Sequence, residues 1–197
     1  MPIPQLPMAV QPQIDQIPPP TPFFPPSPYP TFTQLYQHHT STYPAPLLPP
    51  TESRDINLTP RIVQLLLHPT LETALHIWNT DLQSAEFVIR DLRSAPEYEG
   101  MMLRAIIARV GGDYDEARGW YRSVEGSEVF QEVWGTRGVE RVMALLEGVE
   151  RLRRDGTGDR RDLERESGKE IDAVVEYCVR KFGTQRRVLP GGGGYDT

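Results

Sequence analysis

One stretch restricts the fold more than any other: Gly111-Gly112-Asp113-Tyr114-Asp115-Glu116-Ala117-Arg118-Gly119-Trp120-Tyr121-Arg122-Ser123-Val124. Paired glycines end one helix. Asp113, followed by Asp115 and Glu116, begins the next, where acidic side chains meet the positive end of the helix dipole. Tyr114, Ala117, Tyr121 and Val124 recur at spacings of three and four, which puts them on a single helical face. Two rings around a small residue make a face that must pack on another helix. The stretch speaks to architecture, and no catalytic constellation, metal cluster or nucleic-acid footprint stands out elsewhere in the chain.

Proline divides the chain. Of its 20 prolines, 16 lie in residues 1–50, and only Pro60, Pro69, Pro96 and Pro190 lie beyond. A run such as Ile17-Pro18-Pro19-Pro20-Thr21-Pro22-Phe23-Phe24-Pro25-Pro26 sustains neither a helix nor a central strand, because each proline removes a donor and restrains its predecessor. Residues 1–55 are therefore expected to be a disordered, Pro-rich leader in extended polyproline conformations. Its proline spacing of three (Pro22 to Pro25) also suits a ligand for a proline-recognising domain. His38 and His39 fall in this leader without acidic or cysteine companions, so no metal site is expected there.

Helical spacing governs the remainder. Thr59-Pro60 opens a short, well-buried helix over 61–67, and Pro69-Thr70 opens a second that carries Leu71, Ala74, Leu75 and Trp78. Further helices are expected over 82–92 and 97–110, then the opening stretch, then a short apolar piece at Val129–Trp134 and a long helix over 137–154. Residues 155–168 read as a glycine- and charge-rich connection. A last helix follows over 169–182, closed by Gly183, and 184–197 read as a flexible tail. No segment alternates with period two. The expected architecture is all-α: a repeat-like bundle of about six helices over 56–183.

The formal net charge of −6 argues against generic phosphate-backbone binding and against attraction to an anionic membrane. Cys178 is the sole cysteine and lies on an apolar helix face, so it reads as a buried, inert thiol. The N-terminus lacks the basic region and apolar run of a secretory signal, and no apolar run approaches the ~20 residues that span a bilayer. These features predict an intracellular, cytoplasmic protein, with the nucleus left open and the oligomeric state undetermined.

Residues 79–92 and 111–124 superpose with an offset of 32 residues: Asp81 on Asp113, Leu82 on Tyr114, Ala85 on Ala117, Ile89 on Tyr121 and Leu92 on Val124. The offset and the Gly112-Asp113-Tyr114…Ala117…Tyr121 pattern resemble the second helix of a tetratricopeptide-type pair. A second resemblance spans about residues 71 to 134. Trp78-Asn79-Thr80-Asp81-Leu82-Gln83-Ser84-Ala85, Tyr98, Gly112-Asp113-Tyr114, Ala117, Trp120-Tyr121 and Glu128-Val129-Phe130 resemble an uncharacterised family of helical proteins common in filamentous fungi, with bacterial relatives. Its pattern runs "WNDDLD-A … H-GI-HR-EGDY-NA-YW … HPVF". The resemblance implies a helical fold and no established activity. Arg104 and Ala108 stand where that pattern has two histidines four residues apart, and Glu116 stands for its asparagine. A function resting on the histidine pair is thus not expected here.

Three classes of function follow. The leading one is a non-enzymatic helical interaction module that takes protein partners through a groove or through the leader. Gly112, Asp113, Tyr114, Ala117, Trp120 and Tyr121 form its structural motif, and Trp120 and Arg104 are the candidate groove residues. The second is an enzyme in which His76 acts as a base with Asp81, Asp113, Asp115, Glu116 and Arg104 nearby. The third is nucleic-acid binding through the Arg151–Arg161 cluster, whose interspersed acids largely neutralise it. No cofactor, metal or catalytic residue is assigned.

Overall fold

A computed structural model describes residues 28–92 and 97–187. Among the described residues the chain forms nine helices and no strand: α1 (Phe32–Thr42), α2 (Leu58–Gln64), α3 (Pro69–Trp78), α4 (Leu82–Ile89), α5 (Tyr98–Gly111), α6 (Tyr114–Val124), α7 (Glu128–Trp134), α8 (Gly138–Asp155) and α9 (Arg160–Phe182). The all-helical class is as expected, with more helices than the six anticipated. No helix is long and apolar enough to cross a membrane, among the residues described.

The expected boundary of the leader moves. Residues 28–55 belong to the packed domain: α1 lies within them, and Phe32, Leu35, Ala45 and Leu47 are core residues. The proline count concealed a window. Between Pro30 and Pro44 there is no proline, Thr31 caps the helix by accepting from Gln34 N–H, and Phe32, Leu35 and His39 share its buried face. The rest of the expected leader, residues 1–27, lies outside the described residues, as do 93–96 and the 188–197 part of the expected tail. Thr184 to Arg187 are placed, and the Arg187 N–H donates to Leu66 O at 2.7 Å.

Two other expectations differ. The last helix starts at Arg160 rather than near Lys169. Asp159 caps it by accepting from the N–H groups of Arg161 and Asp162, and Arg160 pairs with Glu164 one turn on. Its charge-rich first turns are thus a solvated helix face, not a connection. In α2, Ile62 is fully buried, but Val63 is 47 % exposed, so this helix is half-buried rather than apolar all round. Phe87 of α4 is likewise exposed.

The internal echo extends into the turns. In α3–α4 the Thr80 N–H donates to Ile77 O and the Asp81 N–H to His76 O; in α5–α6 the Gly112 N–H donates to Arg109 O and the Asp113 N–H to Ala108 O. Both turns need a left-handed residue at the same place. Gly112 supplies it at φ 85°, whereas Thr80 adopts it at φ 55°, held by hydrogen bonds from its hydroxyl to Glu52 O and Asn79 O. Asp81 and Asp113 then cap their helices by accepting from Ser84 N–H and Glu116 N–H. Asp113→Ala is expected to cost about 1 kcal/mol, the usual worth of such a cap, measured by denaturant unfolding. Close packing completes the pairing: Ala85 and Ala117 are fully buried, and a Cβ on Gly100 would lie 1.9 Å from Leu92 O.

Candidate functional site

The stripe read from the sequence is the inner face of α6. Tyr114, Ala117, Tyr121 and Val124 are all buried. At its centre the Tyr121 hydroxyl donates to Glu170 Oε1 of α9 at 2.7 Å, while Arg109 Nη2 of α5 donates to Glu170 Oε2 at 2.8 Å. Both members of the ion pair have side chains with no solvent exposure. Burial raises the Glu170 carboxyl above its ordinary value, and the Arg109 charge opposes that rise. Burial and the neighbouring Glu170 charge push the Tyr121 phenol well up, so it remains a donor. Arg109 Nε and Nη1 have no protein partner. The cluster ties three helices together, and its enclosure leaves a substrate no route to it.

The two candidate groove residues do meet. Arg104 Nη2 and Trp120 Nε1 both donate to Glu116 Oε1, at 2.7 and 3.1 Å, and Arg104 Nη1 pairs with Glu86 Oε1 at 2.8 Å. Arg104 Nη1 and Nη2 and Trp120 Nε1 are engaged with α4 and α6 of the same domain, so this corner works as a clamp. The half-buried Trp120 ring packs on the core.

His76 and Asp81 also come together. Asp81 Oδ2 lies 3.5 Å from His76 Nδ1 and accepts from the Thr59 hydroxyl at 2.6 Å, while Asp81 Oδ1 accepts from Ser84 N–H. His76 is fully buried and neither ring nitrogen has a hydrogen-bond partner. Burial lowers its pKa against the pull of Asp81. Burial would raise Asp81, but its hydrogen bonds from Thr59 and Ser84 outweigh this and hold the carboxyl low. A cleft of about 360 Å³ between residues 49–53 and the start of α4 is lined by Asp81, with no contribution from His76. The remaining acids are elsewhere: Asp113 caps α6, Asp115 pairs with Arg118, and Glu116 holds Arg104. The set proposed for catalysis is thus dispersed, and its one histidine is sealed from the cleft.

The arginine cluster is largely committed. Arg153 donates to Gly112 O, Arg154 pairs with Asp155, and Arg160 with Glu164. Cys178 is buried, and burial pushes its thiol up to about 12, in keeping with an inert side chain. Among the described residues no group of three His, Cys, Asp or Glu side chains is placed to hold a metal ion.

The feature missed in the sequence is an apolar groove of about 580 Å³ between α1 and α9. Phe32, Thr33, Tyr36, Gln37 and Thr40 form one wall; Val175, Glu176, Val179, Arg180 and Thr184 form the other. The Phe32 and Tyr36 rings stack at 5.4 Å between centroids to make an aromatic wall. Tyr36 is fixed from below: its hydroxyl donates to Asp172 Oδ1 at 2.5 Å and accepts from Trp78 Nε1 at 3.3 Å. Burial, reinforced by the Asp172 charge, raises that phenol's pKa far above its usual value. Tyr36 therefore offers the groove its ring and keeps its polar end elsewhere. The signal was present in the proline-free window 31–43 with its apolar residues at helical spacing. No protein-family model, curated protein or solved structure matches the chain.

Proposed function

We propose that this chain is a non-enzymatic helical interaction module whose binding face is the α1–α9 groove. Its ligand is an extended, uncharged peptide bearing proline and aromatic side chains. The observation that carries the reading is the stacked Phe32–Tyr36 wall of an open groove, with the polar end of Tyr36 already committed to Asp172 and Trp78. Aromatic-lined grooves of this kind receive polyproline segments because proline rings pack on aromatic faces and the ligand is already extended. Sealing of His76 from the cleft beside Asp81 argues against the enzymatic alternative. Paired hairpins of tetratricopeptide type would serve this role as the scaffold that holds α9 against α1.

The test is a fluorescence-anisotropy screen of short proline- and aromatic-bearing peptides against the full chain and its Thr33→Glu/Thr40→Lys variant. Thr33 lies in the first turn of α1 and Thr40 in its last, so the new charges suit the helix dipole and leave the core untouched. Peptides that bind the wild-type chain are expected to bind the variant at least tenfold more weakly. Peptides that bind both proteins equally, or an absence of any binding even when the chain's own proline-rich segment is altered by Pro20→Ser/Pro22→Ser/Phe23→Ser, would remove the groove reading.

A further inference from the structure

One end of the groove lies at the start of α1. Phe32, the first residue of α1, lines it. The chain ahead of α1 doubles back along the helix: the Tyr29 ring stacks on His38 at 4.4 Å between centroids, with its hydroxyl 3.0 Å from His38 Nδ1. His38 is six helical positions beyond Phe32, about 9 Å along the axis at about 1.5 Å per residue. At Tyr29 the chain therefore lies alongside α1. There it is on the flank opposite the groove, because His38 and the groove-lining Thr33, Tyr36 and Thr40 fall on different sides of the helix.

The sequence just ahead has the chemistry the groove would select. Residues 17–27, Ile17-Pro18-Pro19-Pro20-Thr21-Pro22-Phe23-Phe24-Pro25-Pro26-Ser27, carry no charge, six prolines and two phenylalanines. We propose that the α1–α9 groove binds residues 17–27 of its own chain as a strap crossing over α1, so that an outside ligand must displace it. The inference rests on the groove being a binding site, as argued above.

Reach allows it. A helix with its side chains is about 10–12 Å across, and polyproline advances about 3.1 Å per residue. Four extended residues, the number from Phe24 to Ser27, are thus long enough to cross α1 and would bring Pro19 to Phe23 to the groove. From Phe32 to Thr40 the wall is about 12 Å long, which accommodates about four extended residues. Tethering sets an effective concentration in the millimolar range, so a modest intrinsic affinity keeps the strap seated.

The experiment uses full-length protein throughout: wild type, the strap variant Pro20→Ser/Pro22→Ser/Phe23→Ser, and the groove variant Thr33→Glu/Thr40→Lys. The probe is a labelled synthetic peptide of residues 16–28, with amide hydrogen exchange as a second readout and light scattering for mass. The strap variant is expected to bind the peptide at least tenfold more tightly than wild type and to exchange faster over α1 and residues 175–184. The groove variant binds no peptide, and wild type stays monomeric. Equal binding to wild type and strap variant leaves the groove reading standing and overturns the strap. Failure of every protein to bind the peptide, with exchange unchanged by the strap substitutions, removes the strap; the peptide screen then decides the groove reading independently. A wild-type dimer that becomes monomeric in the strap variant overturns the cis arrangement in favour of a second copy's segment.

Discussion

Glu170→Gln is expected to destabilise the protein by about 3–5 kcal/mol, because it leaves the Arg109 guanidinium charged and buried without its counter-ion. For a domain of this size that is a fall in Tm of about 10 °C or more. The penalty belongs to the orphaned charge and not to the pair as such. Replacing the cluster together, as Arg109→Met/Glu170→Leu/Tyr121→Phe, is accordingly expected to recover most of the loss, since apolar side chains of similar volume dispense with the desolvation that the pair must overcome. Denaturant unfolding of the two variants checks this. A Glu170→Gln protein within about 1 kcal/mol of wild type would show that Arg109 finds other partners and that the cluster does not hold α5, α6 and α9 together.

The second large effect is acid sensitivity through His39. Its side chain is fully buried in α1 with both ring nitrogens unpartnered. Burial, with His38 and Arg54 nearby and Asp55 opposing, lowers its pKa to about 4 from an ordinary 6.5. The unfolded chain therefore binds a proton more readily than the folded one. His39's contribution is fully present above about pH 6.5 and is lost as pH falls toward 4. At about 1.4 kcal/mol per unit, the loss is on the order of 3 kcal/mol. His76, also lowered by burial, adds a loss of the same sign. His39→Leu is expected to match or exceed wild-type stability at pH 7 and to flatten the decline between pH 6.5 and 4, followed as Tm against pH. An unchanged acid limb in the leucine variant would exclude His39 as its source.

Much of the fold was legible because helix termini and apolar spacing are local properties. Asp113 caps, Gly112 is left-handed, and the Tyr114–Ala117–Tyr121–Val124 stripe is buried, as their order in the chain implied. The offset between residues 79–92 and 111–124 survives as two hairpins with matching turns, in which Thr80 takes a conformation that its own residue type disfavours. Composition misled where it averaged. Counting prolines over fifty residues hid a thirteen-residue window that folds as α1, and a charge-rich run hid the first turns of α9.

Sequence by itself determined the helical class, most helix boundaries and the inward face of α6, since each follows from residues within a turn or two of one another. Tertiary structure alone decided which side chains met. Glu170 reaches Arg109 and Tyr121 across 61 and 49 residues, and Tyr36 reaches Asp172 across 136. Those encounters follow from how α9 packs against α3, α5, α7 and α8, which brings it within side-chain reach of α1 and α6 and which no local spacing encodes. Helix packing likewise seals His76, engages Trp120 and Arg104 with Glu116, and opens the aromatic-walled groove between α1 and α9.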